Sequence, residues 1–236
     1  MNATKRNTWL LLMTAFCLTV VSSSRAQVSS NGMSSVTITV PSFGFVCVGN
    51  PLNFPNNTTP SNTLDNILSS APVGTTKVWD FDAVSSTFAL YIKRPGGWGT
   101  TRPSGWSGTP DVLLNPGKGF FIENDLATDI TLTFTGEVPQ GTQTVSYGPG
   151  YSLIASPFPE SGALGTDLRF PFHAGDIFFI FDPAAQNYAL YTYRPVWPTE
   201  SQPMIGRNSY VGVAEGFFVK SVSGGSWTRT FNVSPQ

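Results

Sequence analysis

The feature that most constrains this 236-residue chain is an internal repeat. An aromatic run ending in Phe-Asp at residues 78–82 is followed by four residues and then by an Ala-Leu-Tyr run at 87–91. The same arrangement recurs one hundred positions later, at 178–182 and 187–191. A chain that repeats a pattern at a fixed distance is built from copies of one structural unit.

Further matches flank this segment in the same order. Residues 44–51 match 150–157, Gly119-Phe120-Phe121-Ile122 matches Gly216-Phe217-Phe218-Val219, and Thr133-Phe134 matches Thr230-Phe231. We therefore predict two copies of one unit, at 34–140 and 141–236. The junction at 140–142 is short, so we expect the copies to pack against each other.

Each copy has the pattern of β-strands. Val36, Ile38 and Val40 alternate with threonines, and residues 130–135 repeat that alternation, which is typical of a strand with one buried face. Glycine and proline are frequent throughout, which disfavours long helices. We predict an all-β fold: two tandem, mutually packed β-sandwich-like repeats related by internal duplication.

Two local signals refine this prediction. Asp82 and Asp182 each open a four-residue connection between strands, where an aspartate can accept backbone N–H groups. Thr63 is placed to cap a short helical turn, and residues 163–168 are the expected counterpart of that turn in the second copy.

The N-terminus resembles a signal peptide. Lys5 and Arg6 precede an apolar run at 9–21, and Ser24 and Ala26 are the small residues that signal peptidase requires. We assign residues 1–26 to the signal peptide and 27–33 to an N-terminal lead. A transmembrane anchor is the alternative, but it needs about 20 apolar residues. The predicted location is extracellular or at the cell surface, with the periplasm as an alternative, and we expect no membrane span after cleavage.

Charge and cysteine content exclude several functions. After cleavage, 10 basic residues face 14 acidic ones, so we expect no nucleic-acid partner. One cysteine, Cys47, remains, so no intrachain disulfide can form. Cys47 lies between two valines and is predicted to be a buried apolar residue.

The sequence shows no catalytic constellation, no metal site and no cofactor motif. His173 is the sole histidine and lies in a predicted turn. A glycoside hydrolase with a carboxylate pair is the enzyme alternative, but Asp80 has no acidic equivalent in the second copy and Asp82 is explained by its turn. Glu123, Asp125 and Asp129 lack the spacing of a calcium loop.

The strongest ligand-binding candidates lie on two loops rich in glycine and proline. The first carries Trp98, Arg102 and Trp106, and the second carries Trp197. Tryptophans on such loops can stack on sugar rings or on proline-rich peptides. Trp106 has no counterpart in the second copy and is the best candidate, whereas Trp98 and Trp197 recur and can equally close the ends of the sandwiches.

The motifs resemble a repeat module of exported surface proteins of Gram-negative environmental bacteria. The residues that carry the resemblance are those at 45–51, the aromatic-Asp hairpin at 79–91, Trp98, the strand at 119–122 and Thr-Phe-x-Gly-Glu-Val at 133–138. The second copy departs from it where Ser156 replaces Asn50. The resemblance implies a β-rich repeat without a known activity.

We therefore expect an exported, non-enzymatic, structural or adhesive β-protein whose partner is a glycan or a surface protein. A carbohydrate-binding module that uses the loop tryptophans is the alternative function.

Overall fold

A computed structural model describes residues 25–28, 33–55, 62–94, 97–100, 112–193, 204–205 and 209–232. The structure is nearly all β, with 56% strand and 2% helix, and its antiparallel sheets form two packed groups. The predicted fold class is confirmed. Within these residues, no helix is long and apolar enough to cross a membrane.

The first repeat contains two antiparallel sheets and one helical turn. The outer sheet has the order β1-β2-β8 and the inner sheet has the order β3-β7-β4-β5-β6. The elements are β1 (Arg25–Val28), β2 (Met33–Val40), β3 (Phe45–Gly49), α1 (Leu64–Ile67), β4 (Thr76–Asp82), β5 (Thr87–Arg94), β6 (Gly97–Thr100), β7 (Gly119–Asn124) and β8 (Ile130–Glu137).

The second repeat has the same plan. Its outer sheet pairs β9 with β17, its inner sheet has the order β10-β16-β12-β13-β14, and β11 pairs with β15. The elements are β9 (Gly141–Tyr147), β10 (Gly150–Ala155), β11 (Gly162–Ala163), β12 (Ile177–Asp182), β13 (Asn187–Tyr193), β14 (Met204–Ile205), β15 (Tyr210–Val211), β16 (Gly216–Ser221) and β17 (Gly225–Phe231).

The inner sheets of the two repeats have equivalent pairing registers. Val48 lies opposite Phe120 in the first sheet, and Ile154 lies opposite Phe217 in the second. The β4–β5 and β12–β13 hairpins also match, because each closes on an aspartate. The burial of matching residues differs in the outer sheets: Phe134 is fully buried, whereas Phe231 is 36% exposed.

The buried aromatic residue of β17 is instead Trp227, whose indole N–H donates to the Leu168 carbonyl at 2.9 Å. The indole fills the volume between the two sheets of the second repeat, next to Phe170 and Phe217. A single large residue therefore does in β17 what two smaller apolar residues, Leu132 and Phe134, do in β8.

Each repeat has its own hydrophobic core. Val36, Phe120 and Leu132 belong to the first, and Phe178 and Phe217 to the second. A third buried cluster joins the two inner sheets, and it consists of Cys47, Phe121, Leu153, Phe181 and Phe218. The predicted mutual packing of the repeats therefore occurs through their inner sheets, which are apolar on both faces because each lies between two layers.

The contact between the repeats is approximately symmetric. Gly49 donates its N–H to the carbonyl of Ala214, and Ala155, its equivalent, donates to that of Gly117, both at 3.0 Å. A Cβ on Gly49 would lie 2.1 Å from the Cβ of Ala155. Two equivalent strands therefore cross so closely that only one of these two positions can carry a side chain.

The predicted turns are confirmed. The carboxylate of Asp82 accepts the N–H of Val84 at 2.9 Å, and that of Asp182 accepts the N–H of Ala184 at 2.8 Å. Thr63 caps α1, since its hydroxyl accepts from the N–H of Asn66.

The expected counterpart of α1 is present as a single turn at residues 163–168. The N–H of Asp167 donates to the carbonyl of Ala163 at 3.0 Å, as the N–H of Ile67 donates to the carbonyl of Thr63 at 2.9 Å. The carboxylate of Asp167 also accepts the N–H of Ala163.

Candidate functional site

An open groove of about 450 Å³ lies between the inner sheets. Its lining consists of six aromatic side chains and one amide. These residues are Phe45, Trp79, Phe88, Phe121, Phe181, Gln186 and Tyr188. The first four belong to the first repeat and the last three to the second, so the groove exists only where the two repeats meet.

Strand register explains why these rings share one surface. Cys47 lies opposite Phe121, and Phe121 lies opposite Trp79, so the three side chains form one row across β3, β7 and β4. Phe181 and Tyr188 lie opposite each other on β12 and β13 and form a second row. Successive side chains along a strand point to opposite faces of the sheet. The side chains of each row therefore face the other repeat, and the residues before and after them in the strand face the sandwich core.

The rings contact one another mostly edge to face. The centroid of Phe121 lies 5.5 Å from that of Phe181, at an interplanar angle of 87°, and 6.4 Å from that of Tyr188. Such geometry is favourable because the positive edge of one ring meets the negative face of the next. Phe88 and Tyr188 remain 43% and 39% exposed. Large aromatic side chains left open to solvent in a groove are typical of a binding surface.

Two polar groups of the lining, the amide of Gln186 and the indole N–H of Trp79, have hydrogen-bond partners within the protein. The amide of Gln186 accepts the N–H of Phe45 at 2.9 Å and donates to its carbonyl at 3.0 Å. The indole N–H of Trp79 donates to Glu123 at 2.7 Å. Burial raises the pKa of Tyr188 to about 12, so its phenol stays neutral. A ligand therefore meets mainly aromatic rings, with the phenol of Tyr188 as a further polar group.

The charged group that touches the lining is negative. Glu123 binds Trp79 through one oxygen and the ammonium of Lys77 through the other, at 3.0 Å. Lys77 also binds Asp125 at 2.8 Å, so this trio carries a net negative charge. Asp182 opens the turn that carries Gln186.

Cys47 and Glu215 lie beside the groove, within the contact between the repeats. Cys47 belongs to the third buried cluster, and burial followed by the charge of Glu215 raises the pKa of its thiol. The predicted burial of Cys47 is confirmed, at 4% exposure. Burial raises the pKa of Glu215 to about 7, although the N–H of Gly212 donates to its carboxylate at 2.6 Å. A protonated thiol is a weak nucleophile, so Cys47 is a packing group.

The described groove does not test the ligand-binding residues that were predicted from the sequence. Trp106, Arg102 and Trp197 lie outside the residues that the structure describes. Trp98 contributes its backbone to β6, opposite Lys93. The loop hypothesis therefore stays a prediction.

Sequence reasoning missed the groove because its rings were interpreted as core residues. A signal was present: each copy carries aromatic residues on both faces of the same strands, which is more than one sandwich core can bury. Phe179 and Phe181 face the other repeat while Phe178 and Ile180 fill their own.

The other candidate groups have structural partners. Glu123 and Asp125 bind Lys77, whereas Asp129 accepts the N–H of Ser42 at 2.8 Å. The described residues include no group of three or more potential ligands that could hold a metal ion. The side chain of Asp80 forms an ion pair with Lys118 at 2.7 Å.

His173 is a partly exposed side chain of the turn before β12. Its Nδ1 lies 3.6 Å from the buried carboxylate of Asp176. That carboxylate accepts the hydroxyl of Ser221 and the N–H groups of Val222 and His173. Asp176 therefore ties the turn before β12 to the end of β16.

Comparison with family models, with curated proteins and with solved structures gives no match for this chain.

Proposed function

We propose that the protein is an exported, non-enzymatic, adhesive β-protein and that the groove between its repeats is its contact surface. The observation that carries this proposal is the lining: six aromatic side chains with solvent-exposed rings at Phe88 and Tyr188. Neither the aromatic rings nor the engaged amide of Gln186 can act as a nucleophile or a general base. The site is therefore suited to binding.

The arrangement of the repeats favours a rigid binding surface. The two sheets are joined by a buried aromatic cluster and by backbone hydrogen bonds on both sides of the crossing. A surface that is fixed before binding loses little conformational entropy on association. A rigid groove suits a protein that must hold a partner outside the cell.

A carbohydrate-binding module is the second candidate. Ring faces such as those of Trp79 and Phe88 can stack on sugar rings, as can those of the loop tryptophans Trp98, Trp106 and Trp197 that the sequence singles out. The engaged polar groups of the groove favour apolar contacts over sugar recognition.

The proposal is tested with the exported protein and a pair of exposed groove substitutions, Phe88→Ala with Tyr188→Ala. We expect this variant to lose attachment to the surface of the producing cells and to keep its melting temperature within a few degrees, because both rings are partly exposed. Tyr210→Ala removes another exposed aromatic side chain outside the lining and is the matched control. Equal attachment of wild type and the double variant would refute the groove as the contact surface.

A glycan array distinguishes the second candidate. Binding to a defined saccharide that Trp106→Ala abolishes, and that the groove variant keeps, would favour the loop tryptophans over the groove.

A further inference from the structure

The groove has the composition of a site for an organic cation. The face of an aromatic ring carries partial negative charge and attracts cations within about 6 Å of its centroid. Here six aromatic side chains converge on a space of about 450 Å³, and no cationic side chain is among the lining residues. Of these rings, Phe88 and Tyr188 are exposed, so part of their surface is open to a cation from outside.

The charged groups around the rings also favour a cation. The indole N–H of Trp79 donates to a carboxylate, that of Glu123, at 2.7 Å. Hydrogen bonding to an anion pushes electron density onto the indole ring and makes its face a better cation acceptor. Glu123, Lys77 and Asp125 together keep a net negative charge at this end of the groove.

The second repeat provides an internal comparison. Tyr151 is the equivalent of Phe45, and Lys220 is the equivalent of Glu123, by the shared register of β10–β16 and β3–β7. The Nζ of Lys220 lies 5.2 Å from the centroid of the Tyr151 ring. The second repeat thus covers this ring with its own cation, whereas the first repeat has the carboxylate of Glu123 at that position.

A quaternary ammonium group fits these conditions better than a primary amine. The amide of Gln186 and the indole N–H of Trp79 are engaged, so an ammonium group with three N–H donors would exchange its water ligands for little more than the phenol of Tyr188. A trimethylammonium group has no N–H to satisfy and is easily desolvated.

We propose that the groove binds a quaternary ammonium group of the trimethylammonium class, held against the rings of Trp79, Phe88 and Tyr188. This inference rests on the proposed function, because it names the ligand of the same groove. Neutral aromatic compounds and sugar rings are the competing occupants.

Isothermal titration of the exported protein with choline and with 3,3-dimethylbutan-1-ol tests the charge directly, since the two molecules have the same shape and only choline is charged. We expect choline to bind about tenfold more tightly, the ratio that a desolvated cation–π contact provides. Equal affinities, or no binding of choline, would overturn the proposal.

Two groove variants and one control test whether the preference for choline arises at this site. Glu123→Gln keeps an acceptor for the Trp79 N–H and removes the charge, so we expect it to weaken choline several-fold and to leave the neutral compound unchanged. Phe88→Ala should weaken both compounds, and Tyr210→Ala should weaken neither. If Glu123→Gln leaves the preference for choline intact, the carboxylate has no part in it and the electrostatic argument fails.

The two proposals fail in different ways. If choline and its neutral analogue bind equally and the groove variants lose both attachment and binding, the adhesive role stands and the cation is refuted. If the groove variants keep full attachment to cells, the adhesive role of the groove is refuted whatever choline does.

Discussion

Glu215 should make the protein less stable as the pH rises. It lies in the turn before β16, where its carboxylate accepts the N–H of Gly212, and it is only partly exposed. Burial, and to a smaller degree the charge of Asp182, raise its pKa from 4.5 to about 7. The folded state therefore holds a proton on this group that the unfolded state releases.

The direction and the size of this effect on stability follow from the linkage between protonation and folding. A carboxyl whose folded pKa exceeds its unfolded pKa adds stability below pH 4.5, and this contribution is lost as the pH rises to about 7 and above. A difference of roughly 2.5 pKa units corresponds to about 3 kcal/mol in the free energy of unfolding.

The substitution Glu215→Gln removes the titration and keeps an oxygen that can accept the N–H of Gly212. We expect the variant and the wild type to have similar stability at pH 4.5. At pH 8.5 the variant should be more stable by about 2–3 kcal/mol, since a buried charge is replaced by a neutral amide. Urea denaturation followed by tryptophan fluorescence at a series of pH values measures this difference.

Wild type and Glu215→Gln differ at one residue, so the difference between their free energies of unfolding reports the titration of Glu215 and not that of the other groups. The pKa of Asp80 is also raised by burial, whereas hydrogen bonds lower those of Asp82 and Asp167, and all three contribute equally to both proteins. Glu137→Gln, an exposed position at the end of β8, is the control. A stability difference between wild type and Glu215→Gln that is constant from pH 4.5 to 8.5 would refute the reasoning.

Two further predictions concern the contact between the repeats. Gly49→Ala should destabilise the protein by about 1–3 kcal/mol, the usual cost of overpacking, because its Cβ would lie 2.1 Å from that of Ala155. The double variant Gly49→Ala with Ala155→Gly should recover most of this loss in urea denaturation, and no recovery would show that the crossing is not the cause. Cys47 should react with a thiol reagent only on unfolding, because burial raises its pKa and excludes the reagent. Rapid labelling of the native protein would contradict its place in the buried cluster.

Much of the fold could be predicted because strand patterns are local. The alternation at residues 36–40 predicted the buried face of β2, and it is buried as expected. The aspartates of the two hairpins were assigned correctly because an Asx turn needs only the residue itself and the next two N–H groups. The equivalence of Phe120 and Phe217 followed from matching sequence on both sides.

The sequence says less where burial depends on distant residues. Phe134 and Phe231 occupy matching sequence positions but differ in burial, and Trp227 is the fully buried aromatic residue of β17. The turn at residues 163–168 was expected from the sequence, but its contact with β15, almost fifty residues away, is a feature of the tertiary structure.

The sequence by itself determined the duplication, the strands and their turns, because these depend on the order of apolar and polar residues along a few positions. It could not place the aromatic groove, because Phe45, Trp79 and Phe121 meet Phe181 and Tyr188 only after two sheets, each formed by strands distant in the chain, have crossed at Gly49 and Ala155. A side chain that faces outward from its own sandwich has no fixed environment until a second sheet covers it. For these rings, only tertiary structure decides which are buried and which stay open to a ligand.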